Sequence, residues 1–387
     1  MKKYRTSIYV GTDANGNKKR IYISANSPEE LQKKVIITKE DLRRGAYKEK
    51  SAYIDDWADQ WLEKYRIPSG ISTGTINQYK AAIGHLKREF GHLKFVDISL
   101  SRFQEFIYNL AKMNPNTGKP AAKQTLQNVV KVAKSICVYA RSNNIDVPDF
   151  TSAVIIPKNA PEEKRRALTE EEQNWIIETS HRCQLPAMIM MFAGLRRSEV
   201  IPLLWEDIDL KNGIISINKT VDLQNNIAEL RFFGKSDAAI REINIPPVLV
   251  DYLKKYKKEN NVTYGLVCLK ISGGYHSKSS FTKMWNSYLL DLNIKYGFPG
   301  RNLSKYNPKR IPMKIEHFTP HYLRHTFATI LYLQGVDVVT AKQLMGHADI
   351  QTTINRYTDI KNNRYSVSKS YKDKLEKEYK VIPNNHY

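Results

Sequence analysis

Polar and apolar positions change their period twice along the chain. Between Lys3 and Val10 polar residues alternate with branched or aromatic ones, Asp-Ala-Asn-Gly-Asn follows, and Lys18 to Ser24 alternates again. Period two on both sides of an Asn-Gly turn predicts a β-hairpin. Ser27-Pro-Glu-Glu30 has the form of a capping box with proline at the first helical position, so a helix is expected to run toward Arg43, Arg44 and Gly45. From Ala52 the period becomes three to four, the spacing of one helix face. Ile54, Trp57, Trp61 and Tyr65 follow it, as do Ile76, Tyr79, Ile83 and Leu86 within Thr75 to Phe90. A third helix opening near Ser99 or Ser101 carries Phe103, Phe106, Ile107 and Leu110, and after the break NPNTGKP a long lysine-rich helix runs from Ala121 to Ser142. The aromatic stripe is read as core, not as a platform for stacking bases.

Regular patterning then lapses. IDVPDFTSAVIIPKNAPEEKRRA holds three prolines and no clear period, the mark of a linker. Thr169 with Glu172 forms another capping box and opens a further domain. Ala187 to Trp205 reads as a buried helix, a Gly-Leu turn and a second helix from about Arg196. Short strands are expected at 213–218, 229–233 and 241–245, with GKSDAA as a turn that sets Lys235 at a hairpin tip. A basic loop from Asn302 to Lys314 leads into HYLRHTFATILYLQGVDVVTAKQLMGHADIQTTINRY, and YKDKLEKEYK beyond it reads as a helix that could dock on a neighbouring subunit, with docking in cis or in trans left open. The expected fold class is multidomain and mainly α with small β-sheets. Its parts are a hairpin-plus-helix unit at 1–50, four helices at 51–146, a linker at 147–166, a mixed α+β domain at 167–371 and a tail at 372–387.

Charge narrows the function. The chain has 61 Lys and Arg against 39 acidic residues, a net +22, which points to a polyanionic partner. The first fifty residues hold thirteen basic and six acidic side chains. Arg5, Lys18, Lys19 and Arg20 are therefore set against a DNA groove, as in β-ribbon readers, or serve as a charged edge that resists strand pairing. Lys164, Arg165 and Arg166, at the linker's end, read by default as a solvated charge run and are candidates for phosphate contact. Cys137, Cys183 and Cys268 are too dispersed for a disulfide framework or a CxxC metal site and read as buried thiols of a reducing compartment. No apolar run reaches membrane-spanning length, and MKKYRTS lacks the apolar core of a signal peptide. The expectation is a cytoplasmic, nucleoid-associated protein with no membrane contact.

The chemistry is concentrated late in the chain. His321 and Arg324 lie three apart and share a helix face if Tyr322 onward is helical; His347 follows a glycine in the turn GHAD, and Tyr357 ends a polar segment. A guanidinium offers phosphate oxygens a planar fork, an imidazole moves a proton near neutral pH, and a phenol can act as a covalent nucleophile. Arg196 leaves an apolar core, where a charge is costly unless paired or bound to an anion, and so is a candidate phosphate ligand with Glu199 as its partner. Lys235, which spacing alone would assign to the surface, is a flexible ammonium able to reach into a site. His317, His321 and His325, four apart, would form a metal-binding face on one continuous helix, but Pro320 disfavours helix at the residue before it. No metal or other cofactor is expected.

In that order, Arg196, Lys235, His321, Arg324, His347 and Tyr357 resemble the constellation of the tyrosine recombinase (phage integrase) family. GLRRSEV matches its first arginine box, GKSDAAIREINIP its lysine hairpin, HYLRHTFAT its His-x-x-Arg box, and MGHADIQTTINRY its second histidine and nucleophile. The likeness spans about Arg165 to Tyr371, and the earlier segments resemble the arm-site (1–50) and core-site (51–146) DNA-binding domains of integrases from conjugative transposons and temperate phages. It implies a 3′-phosphotyrosine intermediate on Tyr357, a Holliday junction, and Arg196 and Arg324 on the non-bridging oxygens. It further implies Lys235 as general acid, His321 either taking the phenol proton or sharing the general-acid task, and His347 on a phosphate oxygen. Implied partners are double-stranded DNA, a tetramer of this chain on it, and accessory proteins for DNA bending and excision. The alternatives are a DNA-binding architectural or regulatory protein with an inactive recombinase fold, or a type IB topoisomerase-like enzyme.

Overall fold

The computed structural model describes residues 3–12, 18–49, 52–162, 166–224, 226–233, 240–301, 303, 311–362 and 368–381. The chain forms two compact units, residues 1–163 and 164–387.

In the first unit β1 (Tyr4–Thr12) pairs antiparallel with β2 (Lys18–Ala25), with a register shift between Tyr9 and Gly11. α1 (Pro28–Arg43) starts as the capping box predicts: Ser27 Oγ accepts from the Glu30 N–H, and Glu30 Oε2 accepts from the Asn26 N–H. α1 covers the sheet face that carries the buried Ile23 and Ala25. The opposite face shows Arg5, Tyr9, Arg20 and Tyr22 to solvent.

The helical part comprises α2 (Ile54–Gln60), which continues as a π-helical stretch over Trp61–Arg66, then α3 (Thr73–Phe90), α4 (Leu100–Lys112) and α5 (Lys123–Ser142). Trp61 is buried against Tyr79, whereas Tyr65 is half-exposed and stacks on Tyr139. Residues 147–162, expected as a linker, are irregular in backbone yet join this core: Phe150 is buried with its ring 5.3 Å from that of Phe103.

In the second unit α6 (Glu170–Glu178) carries the reciprocal Thr169–Glu172 capping box. α7 (Gln184–Ala193) is buried along its whole length and packs on α11 (Pro320–Leu333). Between them come α8 (Arg197–Val200), β3 (Ile208–Asp209), β4 (Ile214–Ile217), β5 (Lys219–Gln224), β6 (Ile227–Phe232), β7 (Arg241–Asn244), α9 (Pro247–Glu259) and α10 (Lys278–Gly297). α12 (Val338–Met345), α13 (Ile350–Asn362) and α14 (Lys369–Lys377) follow α11.

Here the sheet differs from the expectation. β7 pairs with β4 in the order β3-β4-β7, and β6 pairs with β5. The strands that flank the segment carrying Lys235 thus belong to different sheets and do not form a hairpin with each other. The reason is β5: its charged and polar positions hid it from the alternation rule, and it claims β6 as its partner.

The tail packs on its own unit. Tyr371, Leu375, Tyr379 and Val381 are buried in the second unit's own core, the Tyr371 hydroxyl lies 3.0 Å from Gln173 Oε1, and Gln334 Nε2 donates to the Leu375 and Tyr379 carbonyls. The apolar side of this segment is thereby covered within its own unit.

Candidate active site

The site is built around one helix end. The carbonyls at the C-terminus of α12 lack intrahelical donors, and three consecutive ones are each taken by a different arginine. Arg241 Nε donates to the Leu344 oxygen (2.9 Å), Arg324 Nη2 to the Met345 oxygen, and Arg196 Nη2 to the Gly346 oxygen (2.7 Å). Cations are favoured at the negative end of a helix dipole. His347 is the next residue, so these contacts fix where its ring leaves the helix.

Two glycines permit this approach. Gly194, at φ +64°, lends its carbonyl to Arg324 Nη1 (2.5 Å), and a Cβ there would sit 2.2 Å from the Phe327 ring. Gly346, at φ +59°, has Arg241 Nη1 2.7 Å from where its Cβ would be.

Glu199 meets the same arginines. Its Oε2 accepts from the Arg196 backbone N–H (2.8 Å) and its Oε1 from Arg196 Nη1 (2.6 Å); Arg241 Nη1 and Nη2 reach it at 3.2 and 2.9 Å, and Arg324 Nη1 lies 4.0 Å away. Burial alone would raise this carboxyl, but Arg241 foremost, then Arg196 and Arg324, hold it at about 2. For Arg324, burial and then the Arg196 charge pull the pKa below the arginine range. Three guanidiniums against one carboxylate leave a positive excess in a water-poor place, which favours an anion. Arg196, Arg197, His321 and Arg324 share a cleft of about 250 Å³ beside this cluster.

His347 is half-buried, with Nδ1 2.9 Å from Thr353 Oγ1 on α13. Burial, then Arg324, Arg196 and Arg241, lower its pKa to about 4, so the ring is neutral at pH 7. Tyr357 lies four residues beyond Thr353, on the same face of α13. Its hydroxyl donates to the Val336 carbonyl (3.2 Å), and its ring meets Tyr332 edge-on at 5.1 Å. Burial and then Asp337 raise the phenol's pKa well above its ordinary value.

His321 is exposed at the start of α11, its ring edge-on to that of His325 at 4.6 Å. Because α11 begins at Pro320, His317 precedes the helix; among the described residues no three metal-ligating side chains converge.

Lys235, Lys164 and Arg165 lie outside the described residues, as does the side chain of Lys19. Arg5, Lys18 and Arg20 are exposed on the hairpin. Arg166 departs from its expected role as a phosphate ligand. Its donors go to both oxygens of Glu172, both of Glu316 and the Ala167 carbonyl, at 2.6–3.2 Å, so no N–H is left to offer a phosphate.

Three residues at the site escaped the sequence reading, Arg241, Thr353 and Arg197. A signal for the first existed: in REINIP, alternation puts Arg241 on the inward face with Ile243 and Ile245.

A cleft framed by guanidiniums, followed along the chain by His347 and by Tyr357 on α13, fits chemistry on a phosphodiester. Residues 162–364, more than half of the chain, match the model of the Phage integrase family. The chain belongs to that family: it is a tyrosine site-specific recombinase, an enzyme that cuts and rejoins DNA. It is 24% identical over 388 residues to a tyrosine recombinase XerC-like protein of Caldanaerobacter subterraneus subsp. tengcongensis, covering 92% of each chain. Its fold is similar to that of the Tn1549 transposon integrase in complex with transposon right-end DNA (TM-score 0.62, 17% identity, 84% of this chain and 98% of that one). It is similar as well to a λ integrase tetramer bound to a Holliday junction (TM-score 0.55, 14% identity, 92% of this chain and 94% of that one).

Proposed function

We propose that this recombinase integrates and excises a mobile element, with Tyr357, Arg196, Arg324, His321, His347 and Lys235 as its catalytic residues. The Tyr357 oxygen forms a bond to phosphorus while the bond to the 5′ oxygen breaks. A 3′-phosphotyrosine and a free 5′ hydroxyl result, and no ATP is consumed because one ester replaces another. Arg196 and Arg324 stabilise the charge that grows on the non-bridging oxygens, usually the largest single contribution to such catalysis. Lys235 protonates the departing 5′ oxygen, a transfer that typically contributes ~10²–10⁴-fold. His321 takes the phenol proton, and neutral His347 donates from Nε2 to a phosphate oxygen while Nδ1 accepts from Thr353.

What supports this reading most directly is that Arg196 and Arg324, remote in the chain, border one cleft with His321 while bracing the helix end that presents His347. The open face of the β1–β2 sheet suits arm-site DNA, the four-helix part suits core sites, and residues 167–371 suit catalysis. The λ integrase tetramer supports four protomers joined on a junction during strand exchange, with DNA-bending and excision proteins as further partners. Such a protein works on DNA in the cytoplasm; no described helix is long and apolar enough to cross a membrane.

The test is covalent trapping on nicked duplexes. Wild type should form a protein–DNA adduct that Tyr357→Phe does not. An adduct absent from wild type would leave a DNA-binding protein without the chemistry, and relaxation of plasmids lacking any specific site would indicate a topoisomerase.

A further inference from the structure

Arg241 has a place in the site that none of the six proposed catalytic residues explains. It lies at the start of β7, is 8% exposed, and spreads its guanidinium over two elements at once. Nη1 and Nη2 grip both oxygens of Glu199, and Nε holds the Leu344 carbonyl at the end of α12.

We propose that Arg241 is a positioning residue for strand cleavage. It neutralises Glu199 and anchors the end of α12, so that Arg196 and Arg324 are left to face the scissile phosphate. The inference rests on the cleavage chemistry assigned above.

The geometry shows what would follow without it. Glu199 is 3% exposed and must be compensated. Arg241 meets Glu199 Oε2 at 2.9 Å, whereas Arg324 stands 4.0 Å from that oxygen and is held by the Gly194 and Met345 carbonyls instead. With Arg241 absent, the nearest spare positive charge is Arg324, which would be drawn off its seat toward the carboxylate. Arg196 would be bound more tightly to Glu199 as well. The same loss would free the Leu344 carbonyl, one of the three that set the exit direction of His347. Arg241 also opens the strand that follows the segment containing Lys235, and through its pairing with Ile217 it fixes where the chain re-enters the core.

The experiment uses the full-length protein and a nicked duplex recovered from a randomised pool by covalent capture on wild type. Arg241→Met should slow adduct formation by ~10²-fold, the cost typical of misplacing a reacting group by about an ångström, while duplex binding changes little. Arg241→Lys should recover part of the rate, since an ammonium can answer Glu199 but cannot also reach Leu344. Glu199→Gln combined with Arg241→Met should cleave faster than Arg241→Met alone, because an amide demands no counter-charge.

A 5′-bridging phosphorothiolate at the cut site, whose thiolate leaves without needing a proton, should restore Lys235→Ala but not Arg241→Met. Cleavage by Arg241→Met within about threefold of wild type would overturn the proposal. So would a double variant no faster than Arg241→Met, which would mean that Arg241 only fills space. Rescue of Arg241→Met by the phosphorothiolate would place its action on the leaving group and would refute the arginine route. A wild type that captures no duplex would instead refute the reading on which the proposal rests.

Discussion

Gly346 bears two constraints, a left-handed backbone and the Arg241 guanidinium 2.7 Å from where a Cβ would stand. Gly346→Ala should therefore cost ~1–2 kcal/mol in backbone strain, with the displacement of Arg241 added, readable as a lower urea midpoint together with slower DNA cleavage. The titrating residues set the acid limit. His347 has its folded pKa lowered to about 4, so between the ordinary histidine value and pH 4 the unfolded chain binds the extra proton. Its stability contribution is thus whole above that window and falls away as pH drops through it. Glu199, held at about 2, adds a contribution that is whole above the ordinary carboxyl value and is lost progressively from there down through pH 2. Urea midpoints measured from pH 7 to 4 should decline less steeply in His347→Gln than in wild type. At this scale the sequence was legible where chemistry is carried by short boxes, as at GLRRSEV and HYLRHTFAT. Arg241 stayed hidden because its partners, Glu199 and Leu344, are 42 and 103 residues away, and no local pattern announces an ion pair of that reach.

Helices announced themselves better than strands. The long periodic segments at Thr73–Phe90 and Lys123–Ser142 begin and end within about two residues of the expectation. β5 did not, because KTVDLQ spends charged residues on positions that the three-dimensional fold then pairs: Lys219 with Asp207, and Asp222 with Arg231. Arg166 shows the same limit for a charge run, which in sequence reads as a solvated or phosphate-facing stretch and in three dimensions clamps α6 through Glu172 to the segment before α11 through Glu316. Arg166→Met should destabilise the second unit by ~2–4 kcal/mol, since it strands a buried carboxylate. It should leave the salt slope of DNA binding unchanged, whereas losing a true phosphate contact would lower that slope by about 1. Deleting residues 368–387 should uncover the surface that now receives Tyr371, Leu375 and Tyr379. Faster amide exchange in the 334–337 segment, which faces α14 across a shared cleft, is the expected sign.

For the whole molecule, a net +22 spread along the chain makes binding a matter of counterion release. With ~6–10 phosphate contacts, affinity should fall ~10³–10⁵-fold between about 50 and 200 mM salt, and titrations that stay flat would count against a backbone-dominated footprint. The mainly helical, multidomain plan was readable in advance, since hydrophobic period and turn chemistry are local properties. The pairing of β7 with β4 and the inward seating of the tail were not, because both are decided by distant competition for one core. One feature bears on timing. The phenol of Tyr357 donates to the Val336 carbonyl and rests its ring on Tyr332, so on the proposed chemistry both contacts must open before its oxygen can reach phosphorus. On that reading, a copy in this arrangement would grip stray duplex while its phenol stays sheathed in its own protein.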